Sequence, residues 1–568
     1  MSAAEPTPVP DADEAGRAAA VAGVARGLAA REGVALPRGL RLWALAGPAA
    51  VGPADPGPDA DDIAGALGAA LEGATGGARR RAQGLHVTPR WLAARLVDRV
   101  LTGAGVRGAS VCDPACGGGA FLVAAAERLH RAGVDRREVV RRHLWGADID
   151  PVGLAAAEAA LALWAGEAPP PGRLVVGDPL AAGRALWPDA PRAGFAAVVG
   201  NPPFQGQLGR ATARSGPERA ALRDRFGDAV RAYTDTAWLF LLLGCDLARP
   251  GGRVALVQPQ SLVAARDAAA VRAAVDRRAD LRELWVDEGR VFAASVRVCA
   301  PVLVLRDGDG SGAGADRWRD LWADALGLPA LPPPGVGVLG DLAEVVSGFR
   351  DEYYGLAGVV RERAPGDTAA TAAPLVTSGA LGWARCGWGD APVRYGKRAW
   401  RAPVVDLARL AAGDGTAAAR RWVERTRAPK LVVANQTRVI EAAVDPDGAW
   451  VPSVPALAVV PRDPGDLWRL AAAVLAPAAT AWLARRAAGT ALTRRGLRVA
   501  APDLAVLPLP ADAAAWDDAA AAARVLAGDP GADPGPFLAA AGAAYRAPDL
   551  AGWWRDRQTT RPPPPRRG

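Results

Sequence analysis

The sequence contains little lysine, histidine and methionine. Among its 568 residues are three histidines and one methionine, and the only lysines are Lys397 and Lys430. The usual metal-dependent nuclease site needs a lysine two residues after an aspartate or glutamate, and neither lysine has an acidic residue at that distance. The three histidines do not suggest a histidine-based nuclease site either. We therefore expect that this chain does not cut nucleic acid.

Cysteine pairs and long apolar runs are also missing. The five cysteines include no CxxC pair and cannot all pair within one chain, so we expect a reduced, cytoplasmic protein. No apolar run approaches the roughly 18 residues of a membrane span, and the acidic, proline-rich start is unlike a signal peptide. Asp307–Asp316 begins like a calcium loop, but Trp318 stands where the last ligand is needed. Cys112 and Cys116 lack convincing zinc spacing. We therefore expect no metal site, and the lack of a long apolar run predicts no membrane partner.

The positive charge of the chain is concentrated in one segment. The 68 basic residues exceed the 60 acidic ones, which gives a net charge of +8. Such an excess is typical of proteins that bind polyanions, although the near-total use of arginine also fits the codon bias of a GC-rich genome. Residues 391–440 hold eleven basic residues against three acidic ones. This placement favours a nucleic-acid-binding surface, and the alternative is a solvated face of an arginine-rich protein.

The length and the hydrophobic pattern predict several domains. Half of the residues are hydrophobic and 23% are charged, as in globular proteins, and 568 residues predict two or three domains. From about Leu85 to Leu305 short apolar runs alternate with helical stretches, a pattern typical of a mostly parallel sheet with helices on both faces. The predicted division is an Ala-rich extension, helical or partly mobile (1–80), an α/β domain (81–310), a linker (311–340), an α+β domain (341–510), and a helical segment with a loose tail (511–568).

Acidic and glycine-rich segments follow three of the predicted strands. Asp113 ends a strand that runs into the three glycines of VCDPACGGGAF, where a ligand can approach the backbone and a helix begins. Asp148 ends the next strand, 35 residues further on, where an acidic residue commonly binds ribose hydroxyls. Asp178 ends the third strand, where its carboxylate could accept from an adenine amino group. Each aspartate could also be a simple helix cap, but together they predict a nucleoside-type ligand.

The segment Asn201-Pro202-Pro203-Phe204 follows the fourth predicted strand. The two prolines fix the backbone and remove two N–H donors. What remains is a set of carbonyl acceptors, the side-chain amide of Asn201 and the flat ring of Phe204. These groups suit an exocyclic amino group on a planar ring. The tetrapeptide alone could be an ordinary loop, but it is the fourth strand end in a row that carries such groups.

Together these motifs resemble the N6-adenine DNA methyltransferases of restriction–modification and phage-defence systems. The Asp113 segment is similar to the family's DPACGxG cofactor motif, Asn201–Phe204 to its catalytic NPP(Y/F) motif, and Thr88-Pro89 to its TP motif. The resemblance covers about residues 85–305 and continues weakly to about 510, and Val87 stands where the family commonly has tyrosine. It implies a Rossmann-like S-adenosylmethionine-dependent methyltransferase domain, a C-terminal α+β target-recognition domain and an N-terminal helical extension, in a bacterial cytoplasm.

The resemblance also implies roles for individual residues. The expected catalytic residues are Asn201, Pro202, Pro203 and Phe204, and the rings expected to stack on the target base are Phe204 and Phe292. The expected cofactor-binding residues are Thr88, Pro89, Asp113, Ala115, Gly117, Gly119, Asp148 and Asp178. The basic segments are expected to bind DNA through Arg394, Lys397, Arg398, Arg425, Lys430, Arg494 and Arg495.

The function implied is transfer of a methyl group from S-adenosylmethionine to N6 of a flipped-out adenine in double-stranded DNA. The Asn201 side-chain oxygen and the Pro202 carbonyl would hold the two amino hydrogens, so that the nitrogen lone pair points at the methyl group. Further expected partners are a separate restriction nuclease or other defence-complex subunits. Two alternatives stay open: an amino methyltransferase that acts on RNA or protein, and a non-catalytic DNA-recognition subunit of a defence complex.

Overall fold

The computed structural model of the chain divides into two compact units, Met1–Ala325 and Leu326–Gly568. Each unit has buried hydrophobic clusters of its own and is described by itself. The residues described are 12–47, 52–56, 62–76, 87–204, 215–231, 234–287, 291, 297–308, 316–332, 335–348, 350–413, 416–487, 496–529 and 531–559.

An eight-stranded sheet forms the centre of the first unit. Its strands are β1 (Val111–Asp113), β2 (Leu144–Asp148), β3 (Leu174–Val176), β4 (Phe195–Gly200), β5 (Ala248–Leu256), β6 (Gln258–Pro259), β7 (Ala279–Val286) and β8 (Val298–Leu305). The first five run parallel in the order β3-β2-β1-β4-β5. Strand β8 is antiparallel to β5 and also pairs with β6 and β7. This sheet confirms the predicted Rossmann-like α/β fold.

The sheet is buried on both faces, which explains why its strands are continuous apolar runs. In β4, Ala197 and Val199 belong to one hydrophobic cluster, whereas Val198 between them belongs to the other. Successive side chains of a strand point to opposite faces. A strand covered by helices on both sides therefore needs apolar residues at every position.

Helices cover the two faces. In chain order they are α1 (Ala12–Glu32), α2 (Arg41–Ala46), α3 (Ile63–Ala74), α4 (Arg90–Val100), α5 (Ala120–Arg131), α6 (Arg136–Arg142), α7 (Pro151–Ala165), α8 (Pro179–Ala182), α9 (Gly216–Phe226), α10 (Thr236–Leu247), α11 (Ser261–Ala264), α12 (Ala269–Arg278) and α13 (Asp316–Ala325). Helix α7 is apolar except for Glu158 and almost entirely buried. It begins at Asp150, whose side chain accepts from Val152 N, and has proline in its first turn, where the missing N–H costs nothing.

The N-terminal helices are packed into the first unit. Ala18, Val21, Ala22, Ala25 and Leu28 of α1 are fully buried at the spacing of one helix face. They share a hydrophobic cluster with residues of α3 and α7. The N-terminal segment is thus helical, as expected, and α1 and α3 add a layer beside α7.

Helix α13 lies in the segment 311–340 that the sequence suggested as a linker. Its Trp318 and Trp322 are buried, and Trp318 Nε1 donates to Asp276 Oδ1 at 2.8 Å. The helix packs beside β7 and ends the first unit at Ala325. Part of the suggested linker is therefore a packed element, because the Trp-x3-Trp spacing gives it one buried face.

The second unit combines short strands with helices. Its strands are β9 (Ala343–Ser347), β10 (Val360–Glu362), β11 (Ala372–Val376), β12 (Leu381–Gly382), β13 (Arg385–Cys386), β14 (Val393–Tyr395), β15 (Arg398–Trp400), β16 (Pro403–Asp406), β17 (Lys430–Val433), β18 (Gln436–Thr437), β19 (Ala442–Asp445), β20 (Val451–Pro452), β21 (Leu457–Pro461) and β22 (Leu497–Arg498). They form two four-stranded sheets, in the orders β10-β16-β11-β20 and β19-β17-β21-β9, and three two-stranded pairs.

Helices occupy the rest of the second unit. They are α14 (Leu339–Leu342), α15 (Arg350–Ala357), α16 (Leu407–Ala412), α17 (Ala417–Thr426), α18 (Leu467–Leu475), α19 (Pro477–Arg486), α20 (Ala501–Ala505), α21 (Ala513–Gly528), α22 (Gly535–Ala544) and α23 (Leu550–Thr559). The last two are held by aromatic contacts: the Trp383 ring centroid lies 5.5 Å from that of Phe537 and 4.8 Å from that of Trp554.

No single helix in the described ranges is both long and apolar enough to cross a bilayer. One bent pair, Pro464–Leu475 with Pro477–Arg486, passes that test of length and composition when its two halves are taken together.

Candidate active site

The turn between β1 and α5 is closely packed on one side and open on the other. Gly117 and Gly119 have φ values of +47° and +87°, in the left-handed region where a side chain is strained. A Cβ on Gly119 would lie 3.0 Å from Ala157 Cα, so this glycine lets the turn pack against α7. A Cβ on Gly117 would meet nothing within 4 Å. The turn therefore has room for a ligand beside the Gly117 backbone.

Asp113 connects this turn to the end of β4. It is buried, and its Oδ1 accepts a hydrogen bond from Ala115 N at 3.0 Å. Burial raises the pKa of Asp113 to about 8, and the nearby charge of Asp148 adds to the rise. A Cβ on Gly200 would lie 2.5 Å from Asp113 Oδ1. The two strand ends meet this closely because residue 200 has no side chain.

Asp148 connects the end of β2 to the same turn. Its Oδ2 accepts from Gly117 N at 2.7 Å, and its Oδ1 accepts from Asp150 N at 2.9 Å. Burial raises the pKa of Asp148 to about 6, although both backbone hydrogen bonds lower it. The side chain is half-buried, so part of it stays accessible. The structure thus brings Gly117 and Asp148, both predicted to bind the cofactor, into direct contact.

Asp178 is in the position of a helix cap. It is exposed, and its Oδ1 accepts from Leu180 N at 2.8 Å at the start of α8. This bond is the alternative interpretation that the sequence left open. A contact between Asp178 and an adenine amino group stays a prediction.

Two exposed apolar side chains beside these acids were missed by the sequence reasoning. Ile149, directly after β2, is 60% exposed, and Val176 at the end of β3 is 46% exposed. Large apolar side chains at the open edge of a sheet suit the face of an aromatic ring. The sequence did contain a signal for this apolar surface: an isoleucine stands between Asp148 and Asp150, directly after a buried strand.

Asn201 follows β4 with its side-chain amide held at one end. Its Nδ2 donates to Thr88 Oγ1 at 3.1 Å, and Thr88 is itself buried. Its Oδ1 is buried and has no hydrogen-bond partner among the described residues. A buried acceptor without a donor is costly, so this oxygen is available to an N–H of a ligand. The sequence motif predicted that Thr88 binds the cofactor. Its contact with Asn201 was not predicted, because 113 residues separate the two side chains.

The rest of the predicted catalytic segment lies at the same sheet edge. Pro202 is buried, and Phe204 is half-buried against the first hydrophobic cluster. Pro89 is the residue that precedes α4. Phe292, predicted to stack on the target base, lies outside the described residues. The segment's neighbourhood thus contains Asn201, Phe204 and Thr88.

In the second unit, Arg394, Lys397 and Arg398 are exposed on the hairpin of β14 and β15. The two turn residues, Gly396 and Lys397, have φ values of +57° and +63°. This left-handed pair is the geometry of a type I′ turn, which matches the twist of paired strands. We call residues 393–400 the basic hairpin.

Two tyrosines hold the turn of the basic hairpin in place. Tyr395 is buried, and its hydroxyl donates to Tyr353 O at 2.8 Å. Gly396 N in turn donates to the Tyr353 hydroxyl at 3.1 Å. The turn of the hairpin is therefore held in place, and its charged side chains are exposed.

Lys430 contradicts its predicted role in DNA binding. It is fully buried and forms an ion pair with Asp445, which is also buried. The Asp445 carboxylate accepts further hydrogen bonds from Ala449 N and Trp450 N, at 3.0 Å and 2.8 Å. Burial lowers the pKa of Lys430, and Asp445 opposes that shift. An ammonium group without exposed surface cannot reach a phosphate, so Lys430 has a structural role.

The other predicted DNA contacts differ in their surroundings. Arg425 is half exposed and forms an ion pair with Glu344. Arg494 and Arg495 lie outside the described residues. Of the predicted DNA-binding residues, the three on the basic hairpin are therefore the most accessible to DNA among those that the structure describes.

The described part of the chain contains no group of three or more His, Cys, Asp or Glu side chains that could hold a metal ion. All five cysteines are free thiols, and four of them are buried.

The sequence matches known proteins in the region of this site. Residues 74–304 match the family model described as N-6 DNA Methylase. The type I restriction enzyme MjaIX methylase subunit of Methanocaldococcus jannaschii is 45% identical over 69 residues, which are 12% of this chain and 11% of that relative. The chain thus matches about a tenth of the length of that curated relative.

Solved structures resemble the chain at low sequence identity. A modification subunit of a putative type I restriction enzyme from Vibrio vulnificus YJ016 is 24% identical, with a TM-score of 0.33, over 43% of this chain and 49% of that one. The type IIL restriction-modification enzyme MmeI, solved in complex with DNA, is 13% identical, with a TM-score of 0.48, over 89% of this chain and 79% of that one.

Proposed function

Because residues 74–304 match the N-6 DNA Methylase family model, we propose that this chain methylates the N6 atom of an adenine in double-stranded DNA. The methyl donor is S-adenosylmethionine, and the reaction is the modification step of a restriction–modification or defence system. The observation that carries the proposal is the buried Asn201 Oδ1, which has no described partner while Thr88 holds the other end of the amide.

The strand ends of the first unit fit S-adenosylmethionine. The half-buried Asp148 offers a carboxylate to ribose hydroxyls, and the exposed Ile149 offers an apolar surface to the adenine ring. The open space beside Gly117 allows the cofactor to approach the backbone. When bound, the cofactor supplies an electrophilic methyl group on a sulfonium sulfur. The proposed set is completed by Thr88, Pro89, Asp113, Ala115, Gly119 and Asp178.

Asn201 and Pro202 position the nucleophile. The lone pair of an adenine amino group is delocalised into the ring, which makes the nitrogen a poor nucleophile. Two acceptors, Asn201 Oδ1 and the Pro202 carbonyl, can take its two hydrogens and favour a more tetrahedral nitrogen. Since Thr88 holds Nδ2, the acceptor end of the amide is oriented before the base arrives. Catalysis by such fixed dipoles consists of orientation and stabilisation of the developing charge.

The target base leaves the duplex to reach this site. A base inside the stack cannot enter a pocket at a sheet edge, so the adenine is flipped out. The ring of Phe204 then stacks on it, with Phe292 as the second proposed aromatic. Stacking of a base on an aromatic side chain contributes about 1–3 kcal/mol.

The second unit recognises the target sequence. Arginine can bind guanine with two hydrogen bonds and can also bind phosphate. The basic hairpin carries Arg394, Lys397 and Arg398 beside a turn that hydrogen bonds hold in place. This arrangement suits insertion into a DNA groove. We further propose that the chain modifies DNA without cutting it, and that a separate restriction nuclease or defence subunit acts with it.

The test is methylation-sensitive sequencing of DNA from cells that express the chain, together with purified protein. The wild type should produce N6-methyladenine at one recognition sequence. Asn201→Ala should abolish methylation but keep the binding of S-adenosylhomocysteine and DNA. The matched control is Asn435→Ala, which changes the only other asparagine of the sequence and should methylate normally.

The other outcomes separate the alternatives. Transfer of radiolabelled methyl groups to RNA or protein, but not to DNA, would identify a different amino methyltransferase. Cofactor binding without turnover on any DNA would indicate a recognition subunit. Cleavage of DNA by the purified chain would contradict the proposed absence of nuclease activity.

A further inference from the structure

The N-terminal helix α1 reaches the cofactor side of the sheet through one buried arginine. Arg17 is 1% exposed, and its two terminal nitrogens donate to the two carboxylate oxygens of Asp150, at 2.7 Å and 3.1 Å. Asp150 is also buried. A bidentate pair of this kind fixes direction as well as distance. The helix is therefore attached to the residue that begins α7.

Asp150 also links helix α1 to the turn between β1 and α5, which we call the glycine turn. Its Oδ1 also accepts from Val152 N at 3.3 Å, which caps α7. Its backbone N donates to Asp148 Oδ1 at 2.9 Å, and Asp148 Oδ2 accepts from Gly117 N at 2.7 Å. A continuous series of hydrogen bonds thus runs from Arg17 through Asp150 and Asp148 to Gly117.

Arg41 and Gly68 also join the N-terminal segment to the same part of the unit. Arg41 N donates to Glu158 Oε2 on α7 at 2.8 Å, and Arg41 Nη2 donates to Leu174 O at the start of β3, at 2.9 Å. A Cβ on Gly118 would lie 3.3 Å from Gly68 Cα, so α3 packs directly on the glycine turn. The segment therefore touches the cofactor-side elements at three separate places.

We propose that the N-terminal helices are part of the cofactor site, with Arg17 as the positioning residue that sets Asp148 through Asp150. This inference rests on the proposed binding of S-adenosylmethionine. Without Arg17, the Asp150 side chain loses the two hydrogen bonds that fix its direction. The backbone at 148–150 then shifts, and the Asp148 carboxylate with it. Small displacements of positioning groups have large effects on ligand geometry.

The primary test uses the double variant Arg17→Met with Asp150→Asn. Removing both charges leaves no unpaired buried ion, and asparagine still caps a helix, so we expect a fold and an unfolding temperature close to those of the wild type. S-adenosylhomocysteine, measured by isothermal titration calorimetry, should bind about tenfold more weakly. The turnover number at saturating cofactor should be nearly unchanged, because Asn201 and Thr88 are not altered.

Two more variants complete the design. Arg17→Lys keeps a positive charge but loses the two-pronged geometry, so its affinity should lie between those of the wild type and the double variant. Arg31→Met is the control: this arginine is on the same helix, half exposed and paired with its neighbour Glu32. It should bind S-adenosylhomocysteine like the wild type.

The possible failures are distinguishable. If the wild type does not bind S-adenosylhomocysteine, the proposed function fails. If the wild type binds it and the folded double variant and Arg17→Lys bind it equally well, only the role of Arg17 is refuted. A loss of turnover at saturating cofactor without a change in affinity would also refute it.

Discussion

At the level of single residues, the hydroxyl of Thr88 decides which end of the Asn201 amide is free. The hydroxyl accepts from Nδ2 and so directs Oδ1 towards the space where no described group donates to it. A rotated amide would present donors to an amino group that needs acceptors. The buried Thr88 therefore supports the proposed reaction through the orientation of Asn201.

We predict that Thr88→Val lowers the turnover number about tenfold, since a lost hydrogen bond of about 1 kcal/mol changes rates by that order. Valine has the shape of threonine without the acceptor, so packing is kept. Thr88→Ser, which keeps the hydroxyl, should stay close to the wild type. Steady-state methylation assays measure the effect. Weaker binding of S-adenosylhomocysteine with an unchanged turnover number would instead support the motif-based role of Thr88 at the cofactor.

We predict that cofactor binding depends on pH through Asp113. Its pKa is raised to about 8 by burial, so in the free protein the carboxyl is mostly protonated at neutral pH. We expect the ammonium group of the cofactor to pair with this carboxyl, which must first release its proton. The dissociation constant for S-adenosylhomocysteine should therefore decrease as the pH rises from about 6 to about 8. Above that it should level off, because the Asp113 carboxyl is then already ionised.

Calorimetry in two buffers of different ionisation enthalpy measures the proton release. In Asp113→Asn the improvement of affinity between pH 6 and 8 should disappear, and an unchanged pH profile in that variant would contradict the prediction. The same shift affects stability. The folded state binds the proton more tightly than the unfolded chain does, so this group's stabilising contribution is full below the ordinary value near 3.8 and is lost as the pH rises towards about 8.

Among the elements, the basic hairpin combines a fixed turn with exposed charged side chains. The buried Tyr395 next to the turn is bonded to Tyr353, and both turn residues have left-handed backbone conformations. A glycine tolerates this turn conformation, whereas a lysine at Lys397 is strained by it. Such strain is tolerated where a side chain has a use, and the use that we propose for Lys397 is contact with DNA.

We predict that Arg394→Ala with Arg398→Ala weakens DNA binding and makes it less sensitive to salt. Each phosphate contact that is lost should reduce the slope of log affinity against log salt by about 0.9. Fluorescence anisotropy with a duplex that contains the recognition sequence measures both quantities. Arg555→Ala, which removes an exposed arginine from the last described helix, is the control. A slope unchanged in the double variant would exclude the hairpin from the phosphate contacts.

On the scale of the whole molecule, the chain has two units with separate cores. Proteins of this kind need not unfold in a single step. We predict that S-adenosylhomocysteine raises the unfolding temperature of only one of two calorimetric transitions, the one that belongs to Met1–Ala325. At a ligand concentration of one hundred times the dissociation constant the stabilisation is about 2.7 kcal/mol. An equal shift of both transitions would contradict this prediction.

The sheet and the strand-end motifs could be predicted from the sequence because their signals are local. The apolar runs, the three glycines and Asn201–Phe204 each occupy a few consecutive residues. Contacts between distant segments left no such signal: Arg17 with Asp150, Thr88 with Asn201, and Trp318 with Asp276 are defined only by the fold. Lys430 was misassigned for the same reason, since a count of charges cannot show which lysine is buried.

The Lys430–Asp445 pair has a consequence for how this protein can diverge. Loss of either charge alone leaves the other buried without a partner, which typically costs 3–5 kcal/mol, whereas replacing both by apolar residues is often neutral. Replacement of one of the two residues before the other therefore gives a poorly folded protein. Across descendants of this sequence, positions 430 and 445 should be inherited as a unit, changing together or not at all.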